Sequence, residues 1–253
     1  MNLISAFILG IVEGITEFLP ISSTGHLILT TKILSIEQSD FTKSFEIIIQ
    51  MGAILSIVFI YFKKLSTDLK LWKTIIIAFM PSAIVGFLFS HFIKTYLFNY
   101  VVVSLMLILW GIIFIVVEKL LQNRKVFKSS VDYKTAFLIG IFQCFALIPG
   151  TSRSGATIIG GMLLGLDRRT ATEFSFLLSV PTMLIATSYE FFKEREVILN
   201  TDINFLNLFV GFITSFVFAY LSVKWLLNFV SHHSFIIFGI YRILIGLIFL
   251  FVI

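Results

Sequence analysis

The 253-residue chain is 58% hydrophobic and only 13% charged, with a mean hydropathy of +1.03 and a formal net charge of +5. An ordinary water-soluble domain has an apolar share nearer ~45–50%, so the composition excludes one and points to an integral membrane protein. Lys and Arg sit mostly in loops between apolar runs, as membrane topology requires; with no basic groove or stacking platform, nucleic acid is excluded as a partner. The lone Cys144 excludes an internal disulfide and a cysteine-based metal cluster.

The first apolar stretch, 1–34, lacks a basic n-region and a small-residue cleavage site, so it is expected to persist in the mature protein. It is interrupted by Pro20 and carries two carboxylates, two serines, a threonine and a histidine between Glu13 and His26. Glu13 and Glu17 are four apart and share one helix face. Pro20 ends that helix, and Ser22, Ser23 and Thr24 are natural caps for the next. A helix starting at Ser22 or Ser23 aims its free N–H groups at the break, a setting that suits a phosphate.

Three apolar runs long enough to span, at roughly 17–25 residues, follow near 44–62, 74–93 and 99–117. A second interrupted stretch, 134–166, is broken at Pro149 and carries Ile148-Pro-Gly-Thr-Ser-Arg-Ser-Gly-Ala-Thr157 at its tip. Three more runs lie near 171–192, 205–227 and 235–253. Each arm of the two interrupted stretches is too short to cross ~30 Å of hydrocarbon, so both read as re-entrant hairpins, with irregular backbone lining a wet cavity. The expected fold is an all-α integral membrane protein of about ten helices and six spans.

Sliding the chain by 130 residues aligns Gly10 with Gly140, Ser22 with Ser152, Gly25 with Gly155, Leu34 with Leu164 and Phe62 with Phe192. A duplication follows, with 1–122 as the first repeat and 133–253 as the second inside a single membrane domain, 1–253. Three spans per half turn the second repeat upside down, which places a site near the midplane. Loop cations fit that inversion: twelve fall on one side, among them Lys63, Arg124, Lys125 and Arg168, and five on the other, including Lys32 and Arg195. The richer side reads as cytoplasmic, with both termini outside.

Arg153 at membrane depth costs ~2.5–3.5 kcal/mol or more, which marks it as functional, and its planar fork fits phosphate. Ser22, Thr24, Gly150, Thr151, Ser152, Ser154 and Thr157 are expected to contact the substrate around it. Glu13 and Glu17 would repel a phosphate unless one of them is protonated or a hard divalent cation lies between them, Mg²⁺ or alternatively Ca²⁺. Glu17, nearer the break, is expected to outweigh Glu13. His26, one turn after Ser23, is within reach of the serine or the phosphoryl group as base, acid or nucleophile; Ser23 activated by His26 is the favoured pairing, with His26 as nucleophile left open. Arg242, an intramembrane charge with no motif around it, is read as ion-paired or snorkelled, and His91, His232 and His233 as interfacial.

Glu13-Gly-Ile-Thr-Glu-Phe-Leu-Pro-Ile-Ser-Ser-Thr-Gly-His26 and Pro149-Gly-Thr-Ser-Arg-Ser-Gly-Ala-Thr157, with Ser44-Phe-Glu-Ile-Ile-Ile-Gln50 and Glu173-Phe-Ser-Phe-Leu-Leu-Ser-Val-Pro-Thr182, resemble the undecaprenyl-diphosphate phosphatase family, known for bacitracin resistance (BacA/UppP). The likeness runs over the whole chain and breaks at no motif position. It implies a bacterial cell-membrane phosphatase that hydrolyses undecaprenyl diphosphate and recycles the lipid carrier of peptidoglycan synthesis with a divalent cation. Bacitracin would compete by binding the substrate, and a homodimer is left open. Carried onto these positions, Glu13 and Glu17 serve the metal or proton transfer, Ser23 and His26 the attack, and Arg153 the diphosphate. The rival class is a lipid or anion transporter or flippase of the same architecture.

Overall fold

A computed structural model describes residues 1–37, 39–122, 127–193 and 205–252. Arg124, Lys125 and Arg195, three of the cations counted by side, lie outside the described residues. Eleven α-helices are described: α1 Leu3–Thr16, α2 Ser23–Ile33, α3 Asp40–Ile60, α4 Phe62–Thr67, α5 Leu69–Phe92, α6 Tyr100–Leu121, α7 Tyr133–Phe145, α8 Arg153–Leu163, α9 Arg168–Lys193, α10 Phe205–Val230 and α11 Ile236–Val252. A π-helical turn, Ile93–Leu97, closes α5. The all-α expectation stands; the surplus over ten helices is the short α4 and this turn.

Five helices, α3, α5, α6, α9 and α10, are long and apolar enough to cross a membrane. The sixth expected span, 235–253, is shorter: α11 has 17 residues, about 25 Å at 1.5 Å per residue. The exterior is apolar, with Phe87, Phe205 and Phe251 each more than three-quarters exposed. Such a surface belongs in lipid, and the protein is a membrane protein.

Local chemistry sets the helix starts. Asn2, Ser39, Asp68, Asn99 and Asp132 each accept, through a side-chain oxygen, the backbone N–H three residues on, the N-cap bond that satisfies an orphan donor. On exposed Asp132, bonds from the Thr135 backbone and hydroxyl hold the carboxyl below its ordinary range. Pro81 and Pro181 lie inside α5 and α9 without ending them, whereas Pro20 and Pro149 sit in the breaks between helices.

The packing interleaves the two ends of the chain. α1 lies on α10 and α7 on α5; α3 packs on α10 and α9 on α5; α6 packs on α11. At that last crossing Gly111 and Gly239 face each other, and a Cβ on either would meet the other's carbonyl oxygen at 2.7 Å, so only glycine allows the approach. At one end of this pair Glu118, 2% exposed, takes a two-pronged bond from Arg168 (2.9 and 2.6 Å) and accepts the Phe235 N–H at 2.7 Å. One buried carboxylate thus ties α6, α9 and the start of α11.

Candidate active site

Two breaks between short helices build the site. α1 and α2 contact each other across residues 17–22, and α7 and α8 across 146–152. In the second break Pro149 and Gly150 (φ +91°) occupy the middle of a turn closed by Thr151 N–H to the Ile148 carbonyl at 3.2 Å, the pattern of a type II turn that needs positive φ at its third residue. Gly150 also presses on the Val103 backbone, leaving no room for a side chain. Both breaks end on a serine in the same unusual conformation, Ser22 and Ser152 at φ +73°. That strain is on the order of 1–3 kcal/mol each and persists only where the surroundings hold it.

Glu17 joins the two breaks. One oxygen, Oε2, accepts the Ser23 hydroxyl at 2.6 Å, and the other, Oε1, accepts Arg153 Nη2 at 3.1 Å. The carboxylate is almost fully buried and Arg153 nearly so, so the pair is shielded from water and strengthened by the low local dielectric. Arg153 also donates to the Ser175 carbonyl at 3.1 Å, contacts Met183 Sδ at 3.0 Å and lies over the Phe18 ring. Ser23, by contrast, is only partly covered.

His26 is not paired with Ser23, contrary to the expectation from their spacing. Its Nδ1 lies 2.8 Å from the Ser22 carbonyl and its Nε2 lies 2.7 Å from the Tyr241 hydroxyl. A carbonyl only accepts, so Nδ1 carries the proton and Tyr241 donates to Nε2 in the neutral ring. One turn of helix separates the two residues in sequence, but α2 points them to different partners. The base in contact with Ser23 is Glu17.

The other expected substrate-binding residues divide by what they already hold. Ser152 Oγ accepts the Gly155 N–H at 3.1 Å and lies 3.0 Å from Ser154 Oγ, which donates to the Leu19 carbonyl at 3.1 Å; this hydroxyl chain ties the second break to the first. Thr157 Oγ1 bonds the Arg153 carbonyl and Ser175 Oγ, at 3.0 and 2.7 Å, so it supports the arginine's helix. Thr151 Oγ1 is buried without a partner, and Thr24 stays partly exposed beside Ser23. Ser22 is buried and gives its carbonyl to His26.

Glu13 is 1% exposed, and its carboxylate meets that of Glu17 with no donor group on either of its oxygens. Its charged neighbours are Glu17 and Glu46. A buried carboxylate left in this state is costly unless a cation joins it or a proton neutralises it. Among the described residues no group of three or more His, Cys, Asp or Glu is placed to hold a metal by itself, but Mg²⁺ is held by one or two carboxylates plus substrate oxygens and water. The donor set fits such an ion, with the larger share falling to Glu13, since both Glu17 oxygens are engaged.

Three contributors lay outside the expected set: Ser175, Tyr241 and Arg242. Ser175 belongs to the quoted stretch after Glu173, a signal that could have found it. Arg242 forms no ion pair among the described residues and does not snorkel, contrary to expectation; it is wholly buried and bonded to backbone carbonyls of both breaks. His91, His232 and His233 are exposed, as an interfacial place requires.

The model of the family described as "Bacitracin resistance protein BacA" matches residues 6–248. Proteins named undecaprenyl-diphosphatase are similar over almost the whole chain: one from Persephonella marina is 55% identical over 99% of this chain and 98% of its own length. Those from a Sulfurihydrogenibium species and Aquifex aeolicus are each 53% identical, over 98% and 96% of both chains respectively. With helices, breaks and motif residues spread across the length matched, the chain belongs to the bacitracin resistance protein BacA family.

Proposed function

We propose that the protein is a membrane phosphatase that hydrolyses undecaprenyl diphosphate to undecaprenyl phosphate and inorganic phosphate. The observation that carries this reading is Glu17, one of whose buried oxygens accepts the Ser23 hydroxyl and the other an Arg153 nitrogen. Relatives about half identical named undecaprenyl-diphosphatase supply the substrate. Nothing comparable favours a transporter.

Ser23 Oγ attacks the terminal phosphorus and gives its proton to Glu17 Oε2 while the bond from that phosphorus to the bridging oxygen breaks and the lipid monophosphate leaves. Water then attacks the serine ester; the serine oxygen regains its proton from Glu17, and the water's second proton departs with the phosphate. Arg153 turns its fork from Glu17 toward the diphosphate, where charge develops. Glu13 and Glu17 would hold a divalent cation that neutralises diphosphate oxygens. His26, with both ring nitrogens bonded, orients the start of α2 from which Ser23 projects.

The setting belongs to the same proposal: a bacterial cell membrane, inverted halves 1–122 and 133–253, and a site open to the outer side, where bacitracin competes for the substrate and a homodimer is accommodated. The equivalent breaks and the exchanged packing of α1 on α10 and α7 on α5 support the inversion. Phosphate release by the purified protein from undecaprenyl diphosphate, abolished by chelator, tests the reaction; turnover absent at all cation concentrations ends it. For sidedness, cysteines at Ser39 and Ser66 in a Cys144→Ser background are probed on intact cells with an impermeant thiol reagent. Ser39 labels and Ser66 does not; the reverse would move phosphate release to the cytoplasm.

A further inference from the structure

Arg242 is the largest wholly buried side chain in the described residues. Placing an arginine inside a membrane bundle is costly, and among the described residues no carboxylate is paired with it. Its partners are carbonyl oxygens instead. Nη1 donates to Pro20 at 3.0 Å; Nη2 donates to Gly150 and to Thr151, each at 2.8 Å, with Met106 at a longer 3.5 Å. The guanidinium carbon lies 5.8 Å from the Phe114 ring centre, and Nε has no partner.

These carbonyls are unlike ordinary helix acceptors. Pro20 belongs to the first break and Gly150 and Thr151 to the second, where the backbone has left helix and cannot satisfy itself. One rigid planar fork therefore touches both irregular segments at once, with a different nitrogen on each. Three residues before Pro20 is Glu17, three after it is Ser23, and two after Thr151 is Arg153. The neighbouring Tyr241 holds His26 from the same turn of α11.

We propose that Arg242 is a positioning residue whose guanidinium sets the spacing of the two breaks, and with it the register of Ser23 and Glu17 against Arg153. A lysine keeps the charge but offers one nitrogen in place of two fixed ones, so it cannot hold both segments in the same geometry. The kinetic half of this inference rests on the phosphatase reading; the structural half does not.

Amide hydrogen exchange on the full-length protein in detergent decides it, with Arg242→Met and the milder Arg242→Lys. Peptides covering 17–23 and 148–153 exchange at least about tenfold faster in Arg242→Met and severalfold faster in Arg242→Lys, while those of α3 and α10 keep wild-type rates. If the methionine variant does not fold, the lysine variant alone carries the measurement. Acceleration confined to one break, spread equally over α3 and α10, or absent overturns the proposal. In phosphate release, kcat falls by about 10²-fold, the scale of a 1 Å misplacement, and the further loss from Arg153→Lys shrinks in the Arg242→Met background because both act through the same segment. Full additivity overturns that link. A wild-type protein that releases no phosphate while the exchange pattern holds defeats the phosphatase reading and leaves the positioning role standing.

Discussion

The first and second breaks share a serine at φ +73°, a preceding proline and a following eleven-residue helix, yet they carry different chemistry. At the position of Glu13 the second hairpin has Gln143, whose amide donates to Ser82 Oγ at 2.5 Å and lies 3.3 Å from Thr182 Oγ1. The glutamine is buried and satisfied; the glutamate is buried with no donor group on either oxygen. Where Ser23 follows Ser22, Arg153 follows Ser152. The same backbone thus presents a hydroxyl and negative charge from one side and a cation from the other, flanked by the bonded hydroxyls of Ser152, Ser154 and Thr157 and the unpartnered Thr151 Oγ1. Unsatisfied polar atoms lie on both sides, the Glu13 oxygens in the first hairpin and Thr151 Oγ1 and Arg153 Nε in the second, so a ligand between the breaks would complete both.

The sharpest way to break this contrast is to neutralise the first half. Glu17→Gln removes the base and the anchor of Arg153 together and lowers kcat by at least about 10³-fold, and Ser23→Ala does the same. The double variant is no worse than either alone, since the residues act as a unit; additive losses in a phosphate-release assay would separate them. The second half should give a smaller effect. Arg153→Lys lowers kcat/KM by about 10²-fold, because a point charge lacks the bidentate fork; near-normal turnover would reduce Arg153 to a counter-ion of Glu17.

Glu13→Gln copies the second half into the first. It leaves the Ser23–Glu17–Arg153 relay intact and costs about tenfold in rate, with a roughly tenfold rise in the Mg²⁺ concentration for half-maximal activity, as loss of a ligand requires. An unchanged Mg²⁺ curve would take the cation away from Glu13. The mildest exchange concerns the far ends of α2 and α8. Each closes with a bond from the third residue beyond the helix, Ile36 to Thr31 and Leu166 to Gly161, around a residue of positive φ, Ser35 in one and Gly165 in the other. Ser35→Gly relieves the strained serine and raises stability by about 1 kcal/mol, read as a higher thermal midpoint in detergent with turnover unaltered.

Much of the site was legible because its residues cluster near two prolines: Glu17, Ser23 and Arg153 are all in the motif stretches, and they meet. Proline alone was an ambiguous sign. Pro81 and Pro181 pass through long helices, while Pro20 and Pro149 fall in breaks beside polar residues that offer the backbone other partners. The pairing of His26 was not readable from spacing, since a partner from α11 decides which way the ring turns. Arg242 was recognisable as an oddity but not as a tie between breaks, because backbone carbonyls have no sequence signature. The sixth apolar run, near 235–253, was readable to within a residue at its start: α11 begins at Ile236, just after Glu118 accepts the Phe235 N–H.

The interleaved packing also imposes an order in time on a chain made from its first residue onward. When α1 and the first break leave the ribosome, the helix that α1 lies against, α10, is more than half the chain away. Glu118 waits through Arg168 and Phe235 for its partners, and the two breaks wait longest, for Tyr241 and Arg242. A nascent chain halted just short of Tyr241 would already contain every motif residue and possess no assembled site. Assembly of the site therefore waits until the segment bearing Tyr241 and Arg242 has been made, and the earlier segments must be sheltered in the insertion machinery or the bilayer until then.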